Sequence, residues 1–274
     1  MTNETNHASR CSPRSNNAAA SIRIAMTIGC LKLRQTMAKK SFISIYSTLD
    51  SMEFRHTPQS NVAPFLARQI ADQLQKGRVV LWLLSGGSGV QVCNETAKLL
   101  ADSNLSGLYV TISDERYGTV GHTDENMQQL LDAGLSLPGA TVYRPLTGSS
   151  TTKTTRDFDA WLTLAAKKAD YCIALLGIGE DGHTSGIKPH SIAVNSQAAA
   201  CYYTGEDYQR ITTTVSFLSR FDEAVVQAYG KTKRTVVAKL LQDAESSIND
   251  FPAGLIRNIP QVTIFSDSNK EEVT

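Results

Sequence analysis

"VVLWLLSGGSGVQVCNETAKLLA", residues 79–101, decides the fold. Its first six residues are apolar without a break, so a strand there has no wet face. A strand covered on both faces belongs in a parallel sheet. "SGGSG" (85–89) interrupts the run, and "VQVCNETAKLLA" reads as a helix. Strand, glycine-rich turn and helix in this order make the first half of a βαβ unit.

The same alternation extends in both directions. "MEFRHT" (52–57) makes a short first strand. In "SNVAPFLARQIADQLQKG", Val62, Phe65, Leu66, Ile70 and Leu74 share one helical face, with Ser60 or Asn61 as cap and Gly77 as stop. Downstream, "LYVTI" (108–112) is a strand, "SDERYGTVGH" a loop and "DENMQQLLDAG" a helix. The helix "TTRDFDAWLTLAAKKA" (154–169) leads into the strand "YCIALLG" (171–177). "ITTTVSF" and "EAVVQAYG" read as strands, "KTKRTVVAKLLQ" as a helix and "QVTIFSD" as a last strand. This pattern predicts one three-layer αβα domain over 52–268 with a mainly parallel, Rossmann-like sheet. "TGSSTTKTT" (147–155) is a surface loop within it, and no internal repeat is evident.

Composition narrows the function classes. The 274 residues are 41% hydrophobic and 19% charged, and no apolar stretch approaches bilayer-spanning length. Seven of the 27 basic residues and one of the 26 acidic ones lie in residues 1–40. The remaining chain therefore has 20 basic and 25 acidic residues, a net of −5, which carries no electrostatic footprint for nucleic acid. Residues 1–40 are polar, Arg- and Ser-rich and acid-poor. They read as a disordered tail or an upstream extension, with Met37 and Met52 as further possible starts, rather than as a transit peptide. Five cysteines without a CxxC spacing suggest buried, reduced thiols and a cytoplasmic protein.

Ligands of open parallel sheets bind beyond the carboxyl ends of the strands. Three strands here end in polar, glycine-containing loops, which a parallel sheet brings to one rim. In "SGGSG", Gly86 and Gly87 allow a sharp turn with exposed N–H groups, Ser88 adds a hydroxyl, and the helix near Val90 directs its positive end at the loop. That is a phosphate cradle without the Walker or GxGxxG pattern, or an ordinary strand-to-helix turn. In "SDERYG", alternation points Asp114 and Arg116 to one side and Glu115 away. Arg116 suits a phosphate fork and Asp114 an orienting or basic role; a solvated charge cluster is the alternative. No metal-ligand spacing accompanies His122 and Asp124. In "GIGEDGHTSG" (177–186), Gly177, Gly179 and Gly182 permit a tight backbone, His183 supplies a proton acceptor suited to neutral pH, and Asp181 can hold it, while Glu180 faces solvent.

Taken in order, these motifs resemble the 6-phosphogluconolactonase family, within the group that includes glucosamine-6-phosphate deaminase. They stand as "SGGSG" (85–89), "DERYGTVGHTDEN" (114–126), "GIGEDGHT" (177–184), "RIT" (210–212), "GKTK" (230–233) and "FPA" (251–253). The resemblance implies cofactor-free hydrolysis of a 6-phosphorylated sugar-acid lactone. His183 would activate water, and Asp114 would have an orienting or polar-contact role. Gly86, Gly87, Ser88, Arg116, Thr184, Arg210 and Lys233 would bind substrate and phosphate. Gly179, Asp181 and Gly182 would support the loop or an oxyanion. The family's SGGSTP stands here as "SGGSGV" and its DGHTASLFPG as "DGHTSGIKPH", which puts substrate preference in question.

Two rival readings remain. A deaminase would be expected to carry an acid shortly after the histidine, where residues 184–191 read "TSGIKPHS". A non-catalytic sugar-phosphate sensor would keep the cradle and the cations but would have no use for His183.

Overall fold

The computed structural model describes residues 52–273. The readings of residues 1–40 and of Met37 lie outside the described residues. With strands numbered along the chain, β1 (Met52–His56), β2 (Val80–Leu84), β3 (Leu108–Ile112), β5 (Thr141–Val142), β6 (Tyr171–Gly177), β9 (Glu223–Ala228) and β10 (Gln261–Ser266) form one sheet. Its order is β1-β10-β9-β6-β2-β3-β5, and every pairing in it is parallel.

The unbroken apolar run of β2 follows from its central position. All five of its residues are buried. Val80, Trp82 and Leu84 pack on one side with the helices Val62–Gln75, Val90–Leu99 and Asn126–Asp132. Leu81 and Leu83 pack on the other with Thr151–Lys168 and Arg234–Gln242. Two cores on the two faces of one sheet make the predicted αβα sandwich. Truncating Leu83 to alanine at this depth costs about 2–5 kcal/mol.

The chain runs from β2 outward through β3 to β5, then returns to β6 on the other side of β2 and continues to β9 and β10. The connections therefore diverge on either side of β2. A crevice at the carboxyl ends is expected at that switch point.

A second sheet, not expected from the sequence, stands over this rim. β4 (Asp114–Arg116), β8 (Gln209–Thr213) and β7 (Ala200–Thr204) pair antiparallel in the order β4-β8-β7. Asp-Glu-Arg is thus a strand and not part of a loop. The 211–217 segment is not one strand either. It ends at Thr213, and Thr214 Oγ accepts from Phe217 N at 3.2 Å to start the turn of helix Val215–Leu218. At the first long helix, neither Ser60 nor Asn61 caps through its side chain, because both lie in a 3-10 turn, Gln59–Asn61, that precedes Val62. Gly77, at φ +73°, ends that helix as expected.

Candidate active site

The glycine-rich turn after β2 is a 3-10 turn, Gly87–Gly89, that feeds the helix beginning at Val90. Gly89 N donates to Gly86 O at 3.0 Å. The first N–H groups of such a helical start have no acceptor within the helix and are available to an anion. Gly86 is glycine because of a close approach: a Cβ there would overlap the side-chain amide of Asn126. Asn126 Nδ2 in turn donates to Asp114 O at 3.0 Å, linking the first loop to the second.

β4 lies at the edge of the small sheet, with Asp114 and Arg116 toward the crevice and Glu115 on the other side, as alternation requires. Glu115 is buried, not part of a solvated cluster. Its carboxylate accepts from Asn126 N at 2.6 Å, Met127 N at 3.0 Å and Arg116 N at 2.8 Å, pinning the strand to the following helix. Asp114 Oδ1 accepts from Ser113 Oγ at 3.1 Å. Burial pushes the Asp114 carboxyl up, opposed by the charges of Arg210, His183 and Arg116 and by that hydroxyl. His122, weighed as a metal ligand, meets the Arg116 carbonyl with Nε2 at 3.0 Å. Among the described residues no group of three or more His, Cys, Asp and Glu stands in metal-binding geometry.

The turn after β6 holds the imidazole. His183 Nδ1 lies 2.5 Å from Asp181 Oδ1, which also accepts from His183 N at 3.1 Å. Since the partner is a carboxylate, Nδ1 carries the proton and Nε2 is the basic nitrogen. Burial works to raise the Asp181 carboxyl. The His183 N–H, the imidazole and Lys188 outweigh it and hold it down at about 2. Gly182 sits at φ +81°, and a side chain there would strike the Phe251 ring. Ala253 N donates to Gly182 O at 2.9 Å, so the Phe251–Ala253 motif buttresses this turn. The small sheet grips the far end of the loop: Tyr203 Oη donates to Gly186 O and Thr212 Oγ to Ser185 O, both at 2.5 Å.

These elements meet around a crevice of about 420 Å³. Gly86, Gly87 and Ser88 line it from the first loop, and Asp114 and Arg116 from the second. Gly179 and His183 enter from the third, with Arg210 from β8 and Lys233 from the turn after β9. The three cations are held differently. Arg210 is buried and forks onto Asp207, with Nη1–Oδ1 2.5 Å and Nη2–Oδ2 2.9 Å. It is therefore not a surface arginine. Arg116 has a looser hold, 3.4 Å to Asp124 O, with its guanidinium 4.5 Å from the Tyr208 ring centre. Lys233 closes the 3-10 turn Lys231–Lys233, and the N–H of Gly230, the residue that caps it, donates to Asp267 at 3.1 Å.

Thr184 stands apart from the crevice wall. It is fully buried and outside the crevice lining, and its hydroxyl donates to Gly177 O at 2.8 Å. It closes the turn. The N–H groups of Gly179 and Gly182 are also engaged within the turn, on His183 O at 2.8 Å and Gly179 O at 3.0 Å. Both hydrogen bonds hold the loop in shape. Asp181 stands behind His183, outside the crevice lining.

Several lining residues were missed. Asn126 was within reach of the sequence, since it ends the quoted "DERYGTVGHTDEN" segment. Gln227 and Tyr229 also line the crevice. They lie at the carboxyl end of β9 or just past it, and that placement was the available signal.

Fold and crevice together define an αβα protein with a polar crevice at the carboxyl rim of its parallel strands. Residues 56–265 match the family described as glucosamine-6-phosphate isomerases/6-phosphogluconolactonase, and the chain belongs to that family. It is 25% identical over 214 residues to a 6-phosphogluconolactonase of Neisseria meningitidis, covering 73% of this chain and 90% of the relative. It is 26% identical over 235 residues to one from Xylella fastidiosa, covering 81% and 94%. The crystal structure of a 6-phosphogluconolactonase from Thermotoga maritima shares the fold at a TM-score of 0.65 and 19% identity, covering 78% of this chain and 99% of that one.

Proposed function

We propose that this chain hydrolyses a 6-phosphorylated glucono-1,5-lactone to the open acid, with His183 as general base. The observation that carries the reading is the convergence of a carboxylate-held imidazole, three cations and a glycine-rich helix start on one crevice. A lactone is an activated ester, so an oriented water and a base suffice and no covalent nucleophile is required.

His183 Nε2 takes a proton from water as the water oxygen bonds to the lactone carbonyl carbon. The tetrahedral adduct then collapses. The bond from that carbon to the ring oxygen breaks, and the imidazolium returns its proton to the departing oxygen. Asp181 stabilises the transient imidazolium. Asp114 contacts a substrate hydroxyl. Gly87, Ser88, Arg116, Arg210 and Lys233 hold the phosphate, at the opposite end of the substrate from the reacting carbonyl.

Three features accord with this reading. Relatives over most of the chain bear the lactonase name, residues 184–191 carry no acid of the kind a deaminase would use, and the base is retained where a mere sensor would not need it. The test is hydrolysis of 6-phosphogluconolactone, corrected for its spontaneous opening, beside ammonia release from glucosamine 6-phosphate. Lactone consumption above buffer with no ammonia supports the lactonase. Ammonia release alone supports the deaminase. Neither, with a phosphosugar still raising Tm, supports the sensor.

A further inference from the structure

The loop after His183 departs from the family's apolar pattern, and Lys188 is the departure with a visible consequence. Ile187 remains fully buried, and Asp114 occupies the space that a side chain at Gly186 would need. Lys188 instead reaches back across its own loop. Its Nζ lies 3.1 Å from Asp181 Oδ2 and 4.0 Å from Asp207 Oδ2. The other oxygen of Asp181 holds His183 Nδ1, and Asp207 holds the buried guanidinium of Arg210. One ammonium therefore stands between the two carboxylates that fix the base and one arm of the anion clamp.

We propose that Lys188 is a positioning residue that ties the Asp181–His183 pair to the Asp207–Arg210 pair and sets how much of the Asp181 charge reaches the imidazole. The proposal deepens the reading of His183 as the base and rests on it. Without Lys188, two carboxylates would face each other across the junction of the loop and the small sheet, with no cation between them. Asp181 would then act on His183 alone.

The direction follows from the charges around the ring. Asp181 and Lys188 come from its own loop, and Asp114 and Arg116 from β4. Arg210 comes from β8 and Lys233 from beyond β9. Removing the Lys188 cation favours the protonated imidazole, so the histidine gives up its proton at higher pH.

In Lys188→Met the acid limb of the kcat/KM profile moves up by about half a pH unit, a modest shift because the pair is partly solvated. In Lys188→Arg, which keeps the cation, the limb returns toward the wild-type position. NMR titration of the His183 ring in the three proteins reads the same shift without any turnover. A lysine that only braces the loop would lower kcat in the Met variant and leave both titrations in place; that result overturns the proposal. An Arg variant that titrates like Met overturns it too. If the ring titration shifts while no protein hydrolyses lactone, the Lys188 link stands and the lactonase reading falls.

Discussion

Asp181 Oδ1 lies 2.5 Å from His183 Nδ1 while Oδ2 lies 3.1 Å from Lys188 Nζ, so one carboxylate serves an imidazole with one oxygen and a cation with the other. The proton on Nδ1 is fixed by this arrangement, and Nε2 is the nitrogen left for water. His183→Ala removes that nitrogen and should lower kcat by about 10²–10⁴-fold, the range of general-base contributions. The ring is partly exposed at the crevice wall, so Tm and circular dichroism should stay near wild type. Undiminished lactone turnover in the variant would remove His183 from the mechanism.

Asp181→Asn keeps the shape of the pair and removes its charge. In the proposed mechanism the imidazolium loses its partner, so kcat should fall and the acid limb of the profile should move to lower pH, opposite to the shift expected for Lys188→Met. Stability provides a separate check. The Asp181 carboxyl is held at about 2 against an ordinary value of 3.8. A depressed carboxylate stabilises the fold above the unfolded value, and the gain is lost as pH falls through the folded one. The Tm gap between wild type and Asp181→Asn should therefore be widest above about pH 4 and should close toward pH 2. A gap independent of pH would mean that the ionised carboxylate contributes nothing.

Lys233 tests the anion end. Losing a hydrogen bond to a charged group weakens binding by roughly 10–100-fold. Lys233→Ala should raise KM for the 6-phosphorylated lactone by about that factor and change kcat far less. On unphosphorylated gluconolactone the same variant should behave within about twofold of wild type, because no phosphate is present to lose. A similar loss on both substrates would assign Lys233 to the shape of the turn rather than to the phosphate.

The large sheet was legible in the sequence for a physical reason. Strands buried on both faces must be apolar throughout, and "VVLWLL" and "YCIALL" are such runs at strand length, whereas β5, two exposed residues, carries no such signal. The small sheet was not legible. β4 is three charged residues whose partners in β8 lie about a hundred positions away, and strand propensity carries no trace of such pairing. Thr214 was read as strand because β-branched residues favour extended chain, yet its hydroxyl starts a helix. At the site, SGGSG, DER and GxGxDGHT brought seven of the named residues to one crevice, and RIT and GKTK added Arg210 and Lys233. Thr184 follows the imidazole directly in the sequence, and only the fold shows its hydroxyl turned onto Gly177 O. The link from Asp181 through Lys188 to Asp207 depends on the small sheet and was invisible without it.

The contact between Gly86 and Asn126 allows a test of how the first two loops are assembled. Gly86 has φ −78° and ψ −171°, an extended conformation open to any residue, so alanine brings no backbone strain there. What alanine brings is a methyl group where the Asn126 amide now sits. Asn126 must move, and its 3.0 Å bond to Asp114 O must lengthen or break. Asp114 borders the crevice, so Gly86→Ala should lower kcat/KM by about tenfold, the equivalent of one hydrogen bond, with a Tm loss of only a few degrees. Asn126→Ala should produce a similar loss by deleting the amide. Because both variants act through one contact, the double variant should lose little more than either alone. Measured kcat/KM values that multiply independently would show that the Gly86 turn and the Asp114 strand are positioned separately.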